Sequence, residues 1–325
     1  MKIFVTGGAG YIGSTTSQAL LDAGHQVTVY DSLVTGHQAA IPKQAKFIKG
    51  DLADDVAVSN ALSTDSFDAV MHFAAFIEAG ESMQNPGKYF SNNLINSLKL
   101  IEHVQQAGIK KFVLSSTAAV YQASDEPLGE DAVIDPQNAY GQTKLMIEQT
   151  LDWYHKIHGL HFAALRYFNA AGATKERGEA HQPESHLIPL VFRVAIGQMP
   201  DIKIFGSDYP TRDGTAVRDY IHISDLASAH IMTLEALNKH ARLVYNLGNG
   251  KGYSVKEVIE TARTVSGHPI PAIDSARRAG DPARLVASSA SIREELGWVP
   301  KRPELTDIIQ SAWDWHQLHP KGYEE

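Results

Sequence analysis

The chain has 325 residues, 43% of them hydrophobic and 20% charged, with a formal net charge of −8 and no cysteine. That charge argues against non-specific nucleic-acid binding, which needs a basic face to displace counterions. The lack of thiols excludes disulfides, thiolate metal sites and cysteine nucleophiles.

In chain order, Ile3–Val5 reads as a buried strand, followed by a glycine-rich turn and a helix from Ser14 to Leu21 that Gly24 stops. The apolar run before the glycines is too short for a secretory signal. Val27–Tyr30 is a second strand ending at Asp31, and Phe47–Ile48, Ala69–Phe73, Phe112–Leu114 and Phe162–Leu165 continue the series. Helical patterns lie between them, as in Leu94, Leu98 and Ile101. Strands alternating with helices predict a Rossmann-type, doubly wound parallel α/β sheet, with ligands beyond the carboxyl ends of its strands. After Ala171 the rhythm changes. Gly172–Ser185 reads as a polar loop, then come a helix near Leu187–Ile196, strands near Lys203–Phe205 and Asp219–Ile223, and helices near Asp225–Leu237, Val255–Val265 and Glu304–His316. The expected division is a dinucleotide domain over 1–171 and a smaller α/β substrate domain over 172–325, with some later segments returning to the first. No stretch reaches the ~18 apolar residues of a membrane span, so a cytoplasmic chain is expected.

The motif Gly7-x-x-Gly10-x-x-Gly13 follows a strand and precedes a helix. Such glycines allow a tight turn, close approach of a pyrophosphate and helix–strand packing, and the helix N-terminus favours the phosphates. Three glycines alone would equally make a plain turn, but Asp31 closes the second strand 24 positions after Gly7. A carboxylate there accepts from the ribose hydroxyls of NAD and repels the extra phosphate of NADP. Asp51, taken as the end of the third strand, is placed to contact the adenine or to serve as a turn acid. Ala74 and Ala75 end the fourth strand, where small residues admit a cofactor.

Tyr140 and Lys144 stand four residues apart, on one face if helical. A nearby ammonium favours the phenolate, so the spacing predicts a tyrosine pKa below its usual ~10 and a general base near neutral pH. Ser115-Ser116-Thr117, at the end of the fifth strand, supplies a hydroxyl able to bond a substrate oxygen and relay its proton.

These residues sit in longer runs: TGGAGYIGS, HFAAFIEAGES, Ser91–Asn93, YGQTK, LRYFNAAGA, FGSDYPTRDGTAVRDYIH and YNLGNG. On them the chain resembles the extended short-chain dehydrogenase/reductases and, among these, the UDP-glucose 4-epimerase family, nearly end to end. The resemblance implies inversion of C4 of a UDP-hexose by transient oxidation, with NAD retained, UDP-galactose and UDP-glucose interconverting, and a cytoplasmic homodimer. It also implies catalytic roles for Thr117, Tyr140 and Lys144. Cofactor contacts are implied at Gly7, Gly10, Tyr11, Ile12, Gly13, Asp31, Asp51, Leu52, Phe73, Ala74, Ala75, Asn92, Lys144 and Phe168. For substrate it implies Asn169, His186, Leu187, Phe205, Arg218, Arg278 and Asp281 beside Thr117 and Tyr140. Arg218 and Arg278 would pair with the diphosphate and Phe205 would lie near the uracil; Arg277 competes with Arg278 for the register, with Gly280-Asp281 favouring the latter.

Some positions depart from the family pattern. Thr117 replaces a common serine, Gln122 a glycine, Ile77 a lysine near the cofactor and His186 an asparagine. Leu285 falls where a tyrosine restricts the pocket to plain hexoses, so N-acetylated sugars become an alternative substrate. Related dehydratases carry an Asp-Glu pair after the hydroxyl residue; here Ala118-Ala119 follow, which favours epimerisation over elimination. Loss of chemistry in an NAD-sensing protein is the other alternative, and Tyr140 with Lys144 speaks against it. His155, His158 and His161 cross a helix end and would not converge, so no metal is expected. Dimerisation would use the helices near Asn93–Gln106 and Thr143–His155, whose apolar Leu94, Leu98, Ile101, Leu145 and Leu151 could equally be core.

Overall fold

The computed structural model describes residues 1–278 and 281–323. Seven strands form its central sheet: β1 (Lys2–Thr6), β2 (Gln26–Asp31), β3 (Lys46–Lys49), β4 (Ala69–His72), β5 (Lys111–Thr117), β6 (His161–Tyr167) and β11 (Arg242–Leu247). Their order is β11-β6-β5-β4-β1-β2-β3, and every pairing is parallel. A parallel sheet needs both faces covered, and side chains alternate between faces along each strand. Ile3 and Val5 therefore join Leu20 of α1 (Tyr11–Asp22) and Leu226 of α8 (Ile223–Ala236) on one side. Phe4 joins Val58, Ile101 and Ile147 on the other, from α2 (Asp55–Leu62), α5 (Asn96–Gln106) and α6 (Ala139–His158). Strand order reverses between β1 and β4, which opens the crevice typical of ligand binding at their carboxyl ends.

A separate core joins α7 (Leu187–Ala195), α9 (Val255–Ser266) and α11 (Leu305–Leu318) through Phe192, Val258, Ile308 and Trp313. Small strand pairs surround it: β7 (Asn169–Ala171) with β10 (Tyr220–His222), and β8 (Ile202–Phe205) with β13 (Ala272–Ser275). β9 (Val217–Arg218) lies between β12 (Tyr253–Ser254) and β14 (Arg284–Leu285). Short helices α3 (Ala79–Gln84) and α4 (Pro86–Tyr89) follow β4, and α10 (Ala290–Leu296) precedes α11.

Several expectations need correction. The first helix begins at Tyr11, so the last glycine of the motif, Gly13, lies in its first turn. The strand expected over Asp219–Ile223 is broken at Asp219. Its buried carboxylate accepts from the N–H groups of Asn249, Gly250 and Ala287, and so ties the segment after β11 to the one after β14. Asp51 lies beyond the end of β3 and not on it. A π-helical stretch, Phe90–Ile95, precedes α5 and turns Leu94 inward. Leu94, Ile101 and Leu151 are core residues, whereas Ile95, Trp153 and Ile157 are exposed on the same helical segments. β11 and α8, late in the chain, complete the central sheet and cover one face of it.

Candidate active site

The cofactor end is built on the junction of β1 and α1. Gly7 has φ +73°, a conformation that disfavours side chains, and a Cβ there would lie 2.5 Å from the backbone nitrogen of Ala74. Only glycine lets the turn pass this close to the end of β4. Gly10 is the N-cap of α1 and contributes no side-chain cap, so the first-turn N–H groups face the crevice without a competing side-chain acceptor. Asp31 supports the turn: its Oδ2 accepts from Ala9 N–H at 2.9 Å and its Oδ1 from Leu33 N–H at 2.8 Å. Burial pushes its pKa up from the usual carboxylate value, against those two bonds. The cradle thus suits a dinucleotide: a close-approach glycine, an uncapped helix N-terminus and a carboxylate at the tip of β2. Tyr11 is buried and donates to Gly172 O at 2.6 Å, while Ile12 is half-buried. Asp51 is exposed and takes Ala53 N–H on Oδ1; Leu52 is half-buried against the α2–α5 core. Asn92 is half-buried and donates to Asn93. Asn93, to which the sequence assigned no contact, is buried and clamps both backbone groups of Phe76 at 2.9 Å, fixing the segment after Phe73, Ala74 and Ala75.

Thr117 ends β5 and Tyr140 stands in the first turn of α6. Strand alternation sends Ser116 to the opposite face, where its hydroxyl bonds Glu148. Ser115 receives the Tyr167 hydroxyl, which leaves Thr117 as the residue of the serine–threonine run that faces Tyr140. The helix carrying Tyr140 comes unusually near: a Cβ on Gly141 would stand 2.2 Å from Ala119 O. Asn138 caps that helix through Gly141 N–H at 2.8 Å, and Tyr140 N–H reaches Ser82 Oγ at 3.1 Å. Phe168 is buried with Ala118, Val120 and Tyr121, and Leu285 packs against that cluster.

Burial, and not the proximity of the two charges, dominates the electrostatics of the pair, and the Tyr140 pKa moves opposite to the expected direction. Burial pushes the Tyr140 phenol up to about 12, with the Glu78 carboxylate adding to the rise and the Thr117 hydroxyl opposing it. Lys144 does not lower it, because its Nζ turns to Ser115 O at 2.7 Å. Burial brings the Lys144 ammonium down to about 8 against the attraction of Glu148. Glu148 itself pairs with Arg166 at 2.6 Å in a setting where both side chains are less than a tenth exposed. Glu148 stands one further helical step beyond Lys144 on α6, at the same i, i+4 spacing, whereas Glu78 belongs to no such spacing and is brought in by folding alone.

On the substrate side, Asn169 begins β7, half-buried, with its N–H on Asp219 O at 3.1 Å. Arg218 does not stand open for a diphosphate: its Nη2 pairs with Asp281 Oδ1 at 2.5 Å and its Nη1 with Val217 O at 2.8 Å. The Arg278 guanidinium lies 4.1 Å over the Phe205 ring. Arg277 is instead engaged with Asp208 at 2.7 Å and stacked on Tyr209. Gly280, used above to fix this register, lies outside the described residues. His186 caps the start of α7, ahead of half-buried Leu187, and its Nδ1 is 3.0 Å from both Glu179 and Glu184. His155 and His161 each bond a backbone carbonyl, Leu160 O and Leu237 O, and do not converge. Among the described residues no helix is long and apolar enough to cross a membrane.

The family model described as "NAD dependent epimerase/dehydratase family" matches residues 3–300. A UDP-glucose 4-epimerase of Halalkalibacterium halodurans is 49% identical over 99% of this chain and 98% of its own length. A crystal structure of a UDP-glucose 4-epimerase superposes with TM-score 0.97 at 48% identity, covering both chains fully. The enzyme from Bifidobacterium longum, solved in complex with NAD+ and UDP, superposes at 0.95 with 35% identity over 99% of this chain and 100% of the other.

Proposed function

Because this chain belongs to the NAD-dependent epimerase/dehydratase family, we propose that it is a UDP-glucose 4-epimerase, which inverts C4 of a UDP-hexose and interconverts UDP-galactose with UDP-glucose. The observation that carries this reading is the meeting of Tyr140 and Thr117 at the carboxyl end of the sheet, with Ala118 and Ala119 where an eliminating enzyme needs an acid and a base. NAD, when bound, supplies a positive ring beside the phenol and a reversible hydride acceptor for C4.

This chain's residues do the rest. Thr117 hydrogen-bonds the C4 oxygen and links it to Tyr140, which takes the hydroxyl proton as C4 becomes a ketone. After the 4-keto sugar has turned over, Tyr140 returns the proton to the oxygen on the opposite face. Lys144 holds positive charge under the site and is placed to engage the ribose when it leaves Ser115 O. Gly7, Gly10, Tyr11, Ile12, Gly13, Asp31, Asp51, Leu52, Phe73, Ala74, Ala75, Asn92 and Phe168 make up the dinucleotide side in this reading. Asn169, Leu187, Phe205, Arg218, Arg278 and Asp281 make up the UDP side. There the Arg218–Asp281 pair opens to give its guanidinium to the diphosphate, a bidentate task. The chain divides near Ala171 into a dinucleotide part and a substrate part, works in the cytoplasm where NAD and UDP-sugars are made, and dimerises through the exposed Ile95, Trp153 and Ile157.

The test is incubation of the purified chain with UDP-galactose and no added NAD, with Tyr140→Phe alongside. UDP-glucose should form with the wild type, and the variant should lose at least ~10³-fold in kcat. Equal rates in the two would refute Tyr140 as the base, and no product from wild type holding NAD would refute the reaction.

A further inference from the structure

The loop between β7 and α7 carries a side-chain cluster that the proposed reaction does not use. Glu179, His181, Glu184 and His186 each offer one ligating atom, and those atoms lie within 4.8 Å of one another. His186 Nδ1 is 3.0 Å from Glu179 Oε1 and 3.0 Å from Glu184 Oε1; His181 Nδ1 is 3.2 Å from Glu179 Oε1 and 3.8 Å from Glu184 Oε2. Zinc bonds to imidazole nitrogen and carboxylate oxygen run about 2.0–2.2 Å, which puts the edges of a tetrahedral donor set near ~3.4 Å. The three distances of 3.0–3.2 Å lie close to that value, and the fourth, to the other oxygen of Glu184, is 3.8 Å.

Burial points to a ligand independently. The Glu184 side chain is fully buried and that of Glu179 is 7% exposed. Glu184 Oε2 and His181 Nδ1 are both shut off from solvent without a hydrogen-bond partner, although each faces the cluster. A buried carboxylate oxygen left in that state is unfavourable, and a cation at the centre satisfies it together with the orphaned nitrogen.

We propose that these four side chains bind one divalent transition-metal ion, zinc by the chemistry of the donors. Two carboxylates neutralise its charge, and two imidazoles favour zinc over magnesium or calcium, which prefer oxygen alone. Four protein ligands close the coordination sphere, the mark of a structural site. The ion fixes three things together. His181 stands edge-on to the ring of Tyr11 at the dinucleotide turn, with centroids 6.3 Å apart. His186 begins α7. Ser185, between Glu184 and His186, donates to Glu78 at 2.6 Å, and Glu78 is the carboxylate acting on Tyr140. The metal thus holds the loop against the catalytic crevice as a positioning element, and His186 becomes a ligand and not a nucleotide contact.

The test uses the untagged chain. Zinc content is measured by mass spectrometry after desalting, and the chelator-stripped chain is titrated with Zn²⁺ against a chromophoric competitor. About one zinc per chain is expected, with binding at least ~100-fold weaker in His181→Ala and in the near-isosteric Glu184→Gln. Added zinc should raise the melting temperature of the wild type and of Tyr140→Phe but not of the two ligand variants. If His181→Ala fails to fold, Glu184→Gln carries the comparison. Less than a tenth of an equivalent in the titrated wild type, or unchanged affinity in Glu184→Gln, would overturn the proposal.

Discussion

Replacing Lys144 with methionine should stabilise the chain at pH 7 while removing most of its activity. The ammonium is 1% exposed and its pKa falls from an ordinary value near 10.5 to about 8. Between those two values the unfolded chain holds a proton that the folded chain lacks, so stability rises with pH across that window. Below about 8 both states are protonated, and the folded state carries the whole cost of the desolvated charge, about 3 kcal/mol for a shift of this size. Methionine fills similar volume without charge. It gives up the 2.7 Å bond to Ser115 O and leaves that carbonyl unpaired, a loss of about 1–2 kcal/mol. The variant should then exceed the wild type by about 1–2 kcal/mol at pH 7, lose that advantage as pH rises from 8 to 10.5, and fall below it beyond. Urea unfolding of both chains at pH 7 and about pH 10, followed by tryptophan fluorescence, measures this directly, because other titrating groups cancel in the difference. A variant less stable than wild type at pH 7, or a difference that does not move with pH, would refute the reasoning.

Gly141→Ala should retain the fold yet lose at least ~10-fold in kcat, since its Cβ must push the first turn of α6 off Ala119 O and carry Tyr140 away from Thr117; wild-type kcat would contradict this. Gly7→Val should purify with less NAD than wild type, measured chromatographically after denaturation, because both its φ of +73° and the 2.5 Å approach to Ala74 resist a side chain. Leu285→Tyr should depress turnover of UDP-N-acetylhexosamines relative to UDP-hexoses, as the added bulk sits beside Phe168 and Ala118; an unchanged ratio of kcat/KM for the two sugars would remove Leu285 as a determinant of substrate size.

The parts legible in the sequence are those where one local rule suffices. The buried runs Ile3–Val5 and Phe112–Leu114 announce strands because a doubly covered parallel strand has no polar face to dilute its signal. The turn at Gly7 is legible because few other functions require glycines at those spacings beside a strand. The break at Asp219 is hidden in the sequence because Tyr220 and Ile221 after it favour a strand, while its carboxylate is held by three N–H donors from Asn249, Gly250 and Ala287, far along the chain. The Glu179–His186 cluster looked like polar loop for a related reason. Its residues are close in sequence, but their burial comes from packing that no local pattern encodes. Leu94 was ambiguous between core and surface until the π-helical turn before α5 rotated it inward.

The electrostatics of Tyr140 and Lys144 show why spacing alone misled. Four residues of helix do place the two on one side, and the sequence argument assumed that proximity decides the pKa. In the folded chain burial is the larger cause for both, and it acts in opposite directions: it raises the phenol to about 12 and lowers the ammonium to about 8. Burial therefore favours the protonated phenol at pH 7, and only charge placed beside it can bring the phenol down. The same desolvation that holds it protonated strengthens any charge that later arrives beside it, since Coulomb energies grow as the effective dielectric falls. Glu78 opposes activation of the phenol, while Glu148 acts on the other member of the pair and sustains the charge on Lys144. A site built in this way takes its proton only when a positive ring and a sugar are both in place, which suits a reaction whose oxidised intermediate must never escape.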